Sequence, residues 1–247
     1  MYMLLKNKFG RKPLVLHYPG MLAGGVYCTW DLLSKICWNI KIGENDPDLT
    51  IITWNSKQEQ GFLEKCLGKR GIKYVVGYQA VWNHFKRIFT TLEMLRNITT
   101  KYVLGLDNYD VLLFGSPVEV LERFKRMGCK MLVNSEVNFF PDGGWSSRWK
   151  EHEYEKAKTE FKYLNAGVWM GEVDFCINFL EKCATRRMEI DNRMSSGYVI
   201  KDCDQTIWHR TWYECFRENS DFALDYHGDI FMDLSGKEES LLVPKIY

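Results

Sequence analysis

The sequence predicts an α/β protein with a mostly parallel, Rossmann-like sheet covered by helices on both faces. Two observations carry that expectation. Short apolar runs alternate with helical stripes through the first half, an order that builds parallel strands joined by crossover helices. A hydrophobic fraction of 46% beside a charged fraction of 26% supplies both a core and a solvated surface. The 247 residues suffice for one large domain or two small ones.

Leu14 to Tyr18 reads as a short buried strand. Val26, Trp30, Leu33, Cys37 and Ile40 recur at steps of three and four, a helix face. Leu49 to Trp54 is a second strand, followed by a helix after Ser56, and Tyr74 to Tyr78 is a third. Phe85, Ile88, Phe89, Leu92 and Leu95 form the next helical stripe, and Tyr102 to Leu106 the next strand. Ser116-Pro117-Val118-Glu119 opens a helix: Ser116 caps, Pro117 suits the first position, and Glu119 completes a capping box. Met131 to Val137 is a strand and Pro141 to Ser147 a loop. Val173, Cys176, Ile177 and Leu180 mark a helix, as do Ile207, Trp208, Thr211, Trp212 and Cys215 from a start near Asp204. Phe222 to Asp225 is a late strand.

The bulk properties exclude several classes. With 33 basic and 32 acidic side chains there is no field to hold a polyanion, so no nucleic-acid partner is expected. No stretch approaches the roughly 20 apolar residues of a membrane helix, and Met1 to Arg11 lacks the apolar core of a signal peptide. The eight cysteines contain no CxxC pair and read as free thiols packed as small hydrophobes, which favours a reducing compartment. Nine Trp build an aromatic core first, and flat rings also suit a sugar-binding cleft.

Four segments could carry chemistry. Asp107-Asn108-Tyr109-Asp110 ends a strand, where ligands gather in parallel sheets. Two carboxylates there need a cation or proton to offset their repulsion, and oxygen ligands suit Mn²⁺ or Mg²⁺; the plain alternative is a polar turn. Leu164-Asn165-Ala166-Gly167-Val168-Trp169-Met170-Gly171 brackets an apolar run with glycines that permit close approach, or is an ordinary strand. Asp202-Cys203-Asp204-Gln205 precedes an amphipathic helix, as a sugar-facing group or as a cap. Asp225-Tyr226-His227-Gly228-Asp229 offers a late imidazole in an acidic setting.

Taken in order, these segments resemble the glycosyltransferase domain of the procollagen lysyl hydroxylases, the collagen glucosyltransferases, from about the first strand to about Leu234. The resemblance implies a GT-A fold as a single domain over 1–247, with a nucleotide-binding half at about 12–115 and an acceptor half at about 116–247. It implies Asp107, Asp110 and His227 as metal ligands and Tyr109 on the nucleoside. Lys86 would lie near the donor diphosphate, Gly167 in the donor site, and Asn165, Asp202, Asp204 and Gln205 would act as the catalytic and orienting groups. Leu224, Asp225, Ile230 and Phe231 frame His227, which lies one place later than an ungapped match puts it. The acidic run is shorter than the family's, with Lys201 and Cys203 among the acids, and Phe140 stands where a tryptophan is expected.

The reaction implied is a Mn²⁺-dependent (alternatively Mg²⁺-dependent), retaining transfer of glucose from UDP-glucose to a galactosyl acceptor. That acceptor is a glycosylated hydroxylysine, a collagen-like peptide or another galactoside. UDP-galactose or another UDP-sugar is the alternative donor, and a non-catalytic sugar-binding module is the alternative of a different class. Without a signal peptide, a cytoplasmic location, that of a host cell if the chain is virus-encoded, is expected over the secretory-pathway lumen in which the family works.

Overall fold

The computed structural model describes residues 6–19, 34–35, 37–40, 44–140, 157, 159–193, 203–234 and 241–242. The helix face at Val26 to Leu33, the Pro141 to Ser147 loop and Asp202 lie outside the described residues.

Strands alternate with helices as expected. Strands β1 (Lys6–Asn7), β2 (Val15–His17) and β3 (Leu49–Asn55) precede α1 (Phe62–Lys69). Then come β4 (Tyr74–Tyr78), α2 (His84–Arg96), β5 (Tyr102–Leu106), β6 (Val111–Leu113) and α3 (Pro117–Met127). Strands β7 (Met131–Glu136) and β8 (Tyr163–Glu172) lead into α4 (Val173–Arg193) and α5 (Asp204–Thr211). A π-helical turn, Trp212–Phe216, continues α5, and β9 (Phe222–Leu224), β10 (Phe231–Asp233) and β11 (Leu241–Leu242) follow.

The main sheet has six strands in the order β4-β3-β5-β8-β7-β9. Strands β4, β3 and β5 are mutually parallel, and β7 is parallel to β9. Strand β8 runs antiparallel to both β5 and β7, so it alone opposes the other five. This is the mostly parallel sheet expected for a GT-A-like domain, with one reversed strand inserted at its centre.

Period-two alternation decides which helices cover which face. Ile52, Trp54, Val103, Val133 and Trp169 point to the face packed by Phe85, Ile88 and Leu92 of α2, Phe179 of α4 and Trp208 of α5. Ile51, Leu104, Leu132, Val168 and Met170 point to the other, packed by Leu63 and Leu67 of α1 and Val120, Leu121 and Phe124 of α3. The stripe read from Phe85 to Leu95 is thus the buried side of α2, except Phe89, which is exposed. Helix α3 starts where its signals place it: the Ser116 side chain accepts from the Glu119 N–H and Pro117 sits in the first turn. Glu119 turns to Arg123 at 2.8 Å rather than back to the cap.

The structure corrects one expectation of topology. The first strand read from the sequence, β2, does not join the main sheet. It pairs antiparallel with β6 and parallel with β10 in a separate three-stranded sheet. The reason is local: β6 follows β5 after only a four-residue loop, turns out of the main sheet, and leaves an edge for β2 to complete. Among the described residues no helix is long and apolar enough to cross a membrane, and the seven described cysteines are free.

Gly105, in β5, tests the core. A Cβ there would lie 2.4 Å from the Trp169 indole, which is buried. Gly105→Ala should destabilise the fold by about 1–3 kcal/mol through overpacking. Equilibrium urea unfolding measures it, and an unchanged midpoint contradicts this packing.

Candidate active site

Asp107 follows the last residue of β5, at the carboxyl end of the parallel strands. Its backbone N–H donates to Gly167 O at 2.9 Å, so the chain direction at the loop is set by β8. The loop is also clamped from behind by α1. Asn108 O accepts the Leu63 N–H at 2.8 Å, and the Asn108 amide donates to Glu64 at 2.6 Å. Glu64 additionally accepts from Asn55 and from the Gly61 backbone. Tyr109 donates its hydroxyl proton to Asn55 at 2.8 Å. Each middle residue of the loop is therefore anchored, and the two aspartates that flank them line the cavities of the site.

The separate sheet supplies their partner. His17 is paired with Val111 across β2 and β6, and the Tyr18 N–H donates to Asp110 O at 2.8 Å. The His17 Nε2 is 3.7 Å from Asp110 and 3.9 Å from Asp107. That atom is buried without a hydrogen-bond partner. On the other side, His17 Nδ1 is 3.6 Å from Asp233. Burial pulls the imidazole pKa down, but Asp110, Asp233 and Asp107 together push it up to about 9. Asp107 is pushed up to about 6 by burial, against the pull of Arg87 and with the push of Asp110.

Among the described residues His17, Asp107 and Asp110 are the group with metal-ligating geometry, their ligand atoms all within 4.8 Å of one another. His227, the histidine expected in this role from sequence, is placed elsewhere. Its ring packs edge-on against Phe9 at 5.8 Å, and its carbonyl accepts from Asn7. Asp225 is occupied as well: its carboxylate accepts the backbone N–H of Asp229, Ile230 and Phe231, each at 2.8 Å. The segment from Asp225 to Asp229 is a capped turn leading into β10, and β10 then positions Asp233 opposite His17.

The cation of the site is also one residue from the expected place. Lys86 is exposed on α2 and its backbone N–H is capped by Asn83. Arg87 is buried. It donates to Asp107 at 2.7 Å and to Ala166 O at 3.0 Å, pairs with Asp204 at 2.6 Å, and stacks over Trp54. Its guanidinium is held firmly charged: burial opposes, and Asp204 and Asp107 prevail. Asp204 is correspondingly held below its ordinary 3.8; burial works against this, and Arg87 and His84 overcome it.

The remaining expected residues converge on one wall. β8 carries an irregularity opposite Val133 and Asn134 that loops out Ala166 to Val168. Gly167 sits at that bulge, where a Cβ would lie 2.4 Å from the His17 ring and 2.7 Å from Asp107; only glycine fits. Asn165 and Gln205 both donate to Glu136, at 3.1 and 2.7 Å, and Gln205 accepts the Ala166 N–H. Glu136 is buried, and burial followed by Asp233 pushes its pKa well above the usual carboxylate range.

Two cavities share this centre. One, of about 310 Å³, is lined by Glu136, Asn138, Asn165, Gly167, Asp204 and Gln205. The other, of about 550 Å³, is lined by Trp54, Ser56, Lys57, Trp82, Asn108 and Tyr109. His84, Arg87, Asp107 and Asp110 line both. The ammonium of Lys57 lies 4.5 Å from the centre of the Tyr109 ring. Sequence reasoning missed His17, Arg87 and Glu136. Each was visible as an ionisable group ending or interrupting an otherwise buried stripe.

Comparison with known proteins identifies a family. The family described as the PLOD GT domain matches residues 48–245. The human multifunctional procollagen lysine hydroxylase and glycosyltransferase LH3 is 27% identical over 215 residues, covering 81% of this chain and 27% of the human protein. An uncharacterized protein, R699, of Acanthamoeba polyphaga mimivirus is 24% identical over 198 residues, 74% of this chain and 38% of that one. Chicken procollagen-lysine,2-oxoglutarate 5-dioxygenase 1 is 20% identical over 216 residues. The chain spans about a quarter of the length of the human relative (27%).

The Arg87 pairings predict a large and coupled loss. Arg87→Met leaves two carboxylates buried without their cation and should cost about 3–5 kcal/mol. Adding Asp204→Asn should restore about 1–3 kcal/mol, measured as a double-mutant cycle in urea; additive effects contradict the pairing. The pH dependence has a definite sign. Because Asp204 is held below 3.8, its contribution is present above that value and is lost as pH falls further. The stability gap between wild type and Asp204→Asn should therefore narrow as pH falls from about 5 through 3.8 and below.

Proposed function

The chain belongs to the PLOD family of glycosyltransferase domains, and on that premise we propose that it moves glucose from UDP-glucose to a galactosyl acceptor with the help of a divalent cation. The observation that carries the reading is the position of Asp107 and Asp110 at the seam between two cavities of different chemistry, with His17 beside them on the wall of the polar one. The aromatic cavity suits a nucleoside, with Tyr109 and Trp54 offering flat rings and Lys57 a nearby charge. The polar cavity suits a hexose, whose hydroxyls would meet Glu136, Asn165, Asp204 and Gln205. The diphosphate joining them would cross the seam.

The donor set fits a cation. Separations of 3.7 and 3.9 Å between Nε2 and the two carboxylates are too long for hydrogen bonds. They are the spacing of ligands that share one ion at about 2.0–2.2 Å. The unpartnered Nε2 supports the same assignment. Mn²⁺ or Mg²⁺ held there would neutralise charge on the departing diphosphate. Arg87 holds Asp107 in place from behind, and Gly167 leaves room for the His17 ring. Gln205 and Asn165 fix the Glu136 carboxyl on the sugar side. The acceptor proposed is a galactosyl group, as on the hydroxylysine of a collagen-like peptide, consistent with a relative whose name pairs procollagen with glycosyltransferase activity.

UDP release with and without acceptor tests the reading. Exhaustive EDTA treatment should abolish turnover and Mn²⁺ restore it; turnover that survives EDTA sinks the metal assignment. His17→Ala should raise the Mn²⁺ needed for half-maximal rate at least about tenfold, on the order of 1.4 kcal/mol, with His227→Ala near wild type. The opposite order returns the third ligand to His227.

For the donor, UDP-glucose should outpace UDP-galactose and UDP-N-acetylglucosamine on a galactosyl-hydroxylysine peptide. A faster rate with UDP-galactose makes the chain a galactosyltransferase, and no release from any UDP-sugar makes it a non-catalytic binding module.

A further inference from the structure

A buried pair of cysteines lies at helix α1, the helix that clamps the loop carrying Asp107 and Asp110. Cys66 sits on that helix, one turn beyond the Leu63 and Glu64 groups that clamp Asn108. Its sulfur is 3.4 Å from the sulfur of Cys37. Both side chains are fully buried. Cys37 also donates to Leu113 O at 3.1 Å. The same carbonyl, at the end of β6, accepts from the Arg70 guanidinium, which closes α1 and also reaches Gly115 O at 2.9 Å.

We propose that Cys37 and Cys66 are a latent disulfide, a covalent staple between the chain segment around residue 37 and the helix that clamps the Asp107 to Asp110 loop. The pair is set apart from the other described cysteines by its geometry: the two sulfurs already touch, so closing the bond needs a shift of little more than 1 Å toward the usual ~2.05 Å. Arg70 and Lys69 supply the electropositive surroundings that favour a thiolate. The Cys66 thiol lies below its ordinary pKa, through its contact with Cys37 and, against burial, through Arg70; Cys37 is pushed up by the same contact and by burial. Cys66 is thus the attacking sulfur.

The chemistry is thiol–disulfide exchange with a small disulfide as the two-electron oxidant. The Cys66 thiolate attacks one sulfur of the oxidant, forming a mixed disulfide and expelling the first thiolate. Cys37 then gives up its proton and attacks Cys66, expelling the second. The Cys37 to Cys66 bond forms, the oxidant's S–S bond breaks, and the two protein protons end on the two released thiols. Since both sulfurs are buried, exchange proceeds through local opening rather than on the closed surface. The bond closes a loop within the chain and constrains the unfolded state, so the oxidised protein is the more stable one. None of this depends on the sugar-transfer reading.

The test uses the folded full chain in graded buffers of oxidised and reduced glutathione, with a parallel series in sub-denaturing urea to speed opening. Samples are alkylated under denaturing conditions, then read by intact mass and by non-reducing peptide mapping. The expected product lacks two alkyl groups, yields one linked peptide joining Cys37 and Cys66, and melts several degrees above the reduced protein. Cys37→Ser and Cys66→Ser should each abolish that product. Full alkylation of both cysteines in every buffer, with and without urea, overturns the proposal. So does a linked peptide in which either cysteine joins a third.

Discussion

One buried cation holds the site together. Arg87 reaches Asp107 at the end of β5, Asp204 at the start of α5 and the Ala166 carbonyl in the β8 bulge. These three segments come from distant parts of the chain and would repel or leave unpaired groups if brought together without it. A guanidinium suits the role because its several donors lie in a fixed plane and its face can rest on Trp54. Burying it costs solvation, which only fully made pairings offset. The cation therefore fixes geometry more than it adds stability: α2, α5 and the centre of the sheet must meet in one register for its charge to be satisfied.

The second constraint is space. Gly167 lets the His17 ring and the Asp107 carboxylate approach the bulge of β8 more closely than any side chain allows. The three-stranded sheet delivers His17 from the other direction, through its pairing with β6 and β10. Asp107 and Asp110 thus project from a loop whose interior is anchored by Asn108 and Tyr109, toward a ring whose position is set by strand pairing. Rigid elements on both sides give the centre its definition, as a site that must hold charged groups close together requires.

Much of this was legible in the residues. The βαβ order, the buried stripe of α2 and the Ser116–Pro117 helix start follow from local patterns, and local forces decide them. Asp107, Tyr109, Asn165, Gly167, Asp204 and Gln205, singled out from their motifs, line the two cavities. What could not be read was set by tertiary pairing. Lys86 and Arg87 are neighbours in sequence, but one step along a helix turns a side chain by about 100°, and that turn decides which of them is buried. His227 looked right because its flanking residues matched a pattern. Its partner Phe9 lies far away in sequence, and so does Asp110 from His17. The antiparallel sense of β8 was equally hidden, since a buried strand reads the same in either direction.

The wall common to both cavities has a further meaning. His84, Arg87, Asp107 and Asp110 face one chamber on one side and the other chamber on the other. Water cannot be stripped from that wall in one chamber without changing the field felt in the next, because charges weaken or strengthen one another according to how well solvent screens them. If the two chambers take the two parts of one donor, the preference of each is set partly by whether its neighbour is filled. Selectivity measured with one chamber filled and with both filled therefore need not agree.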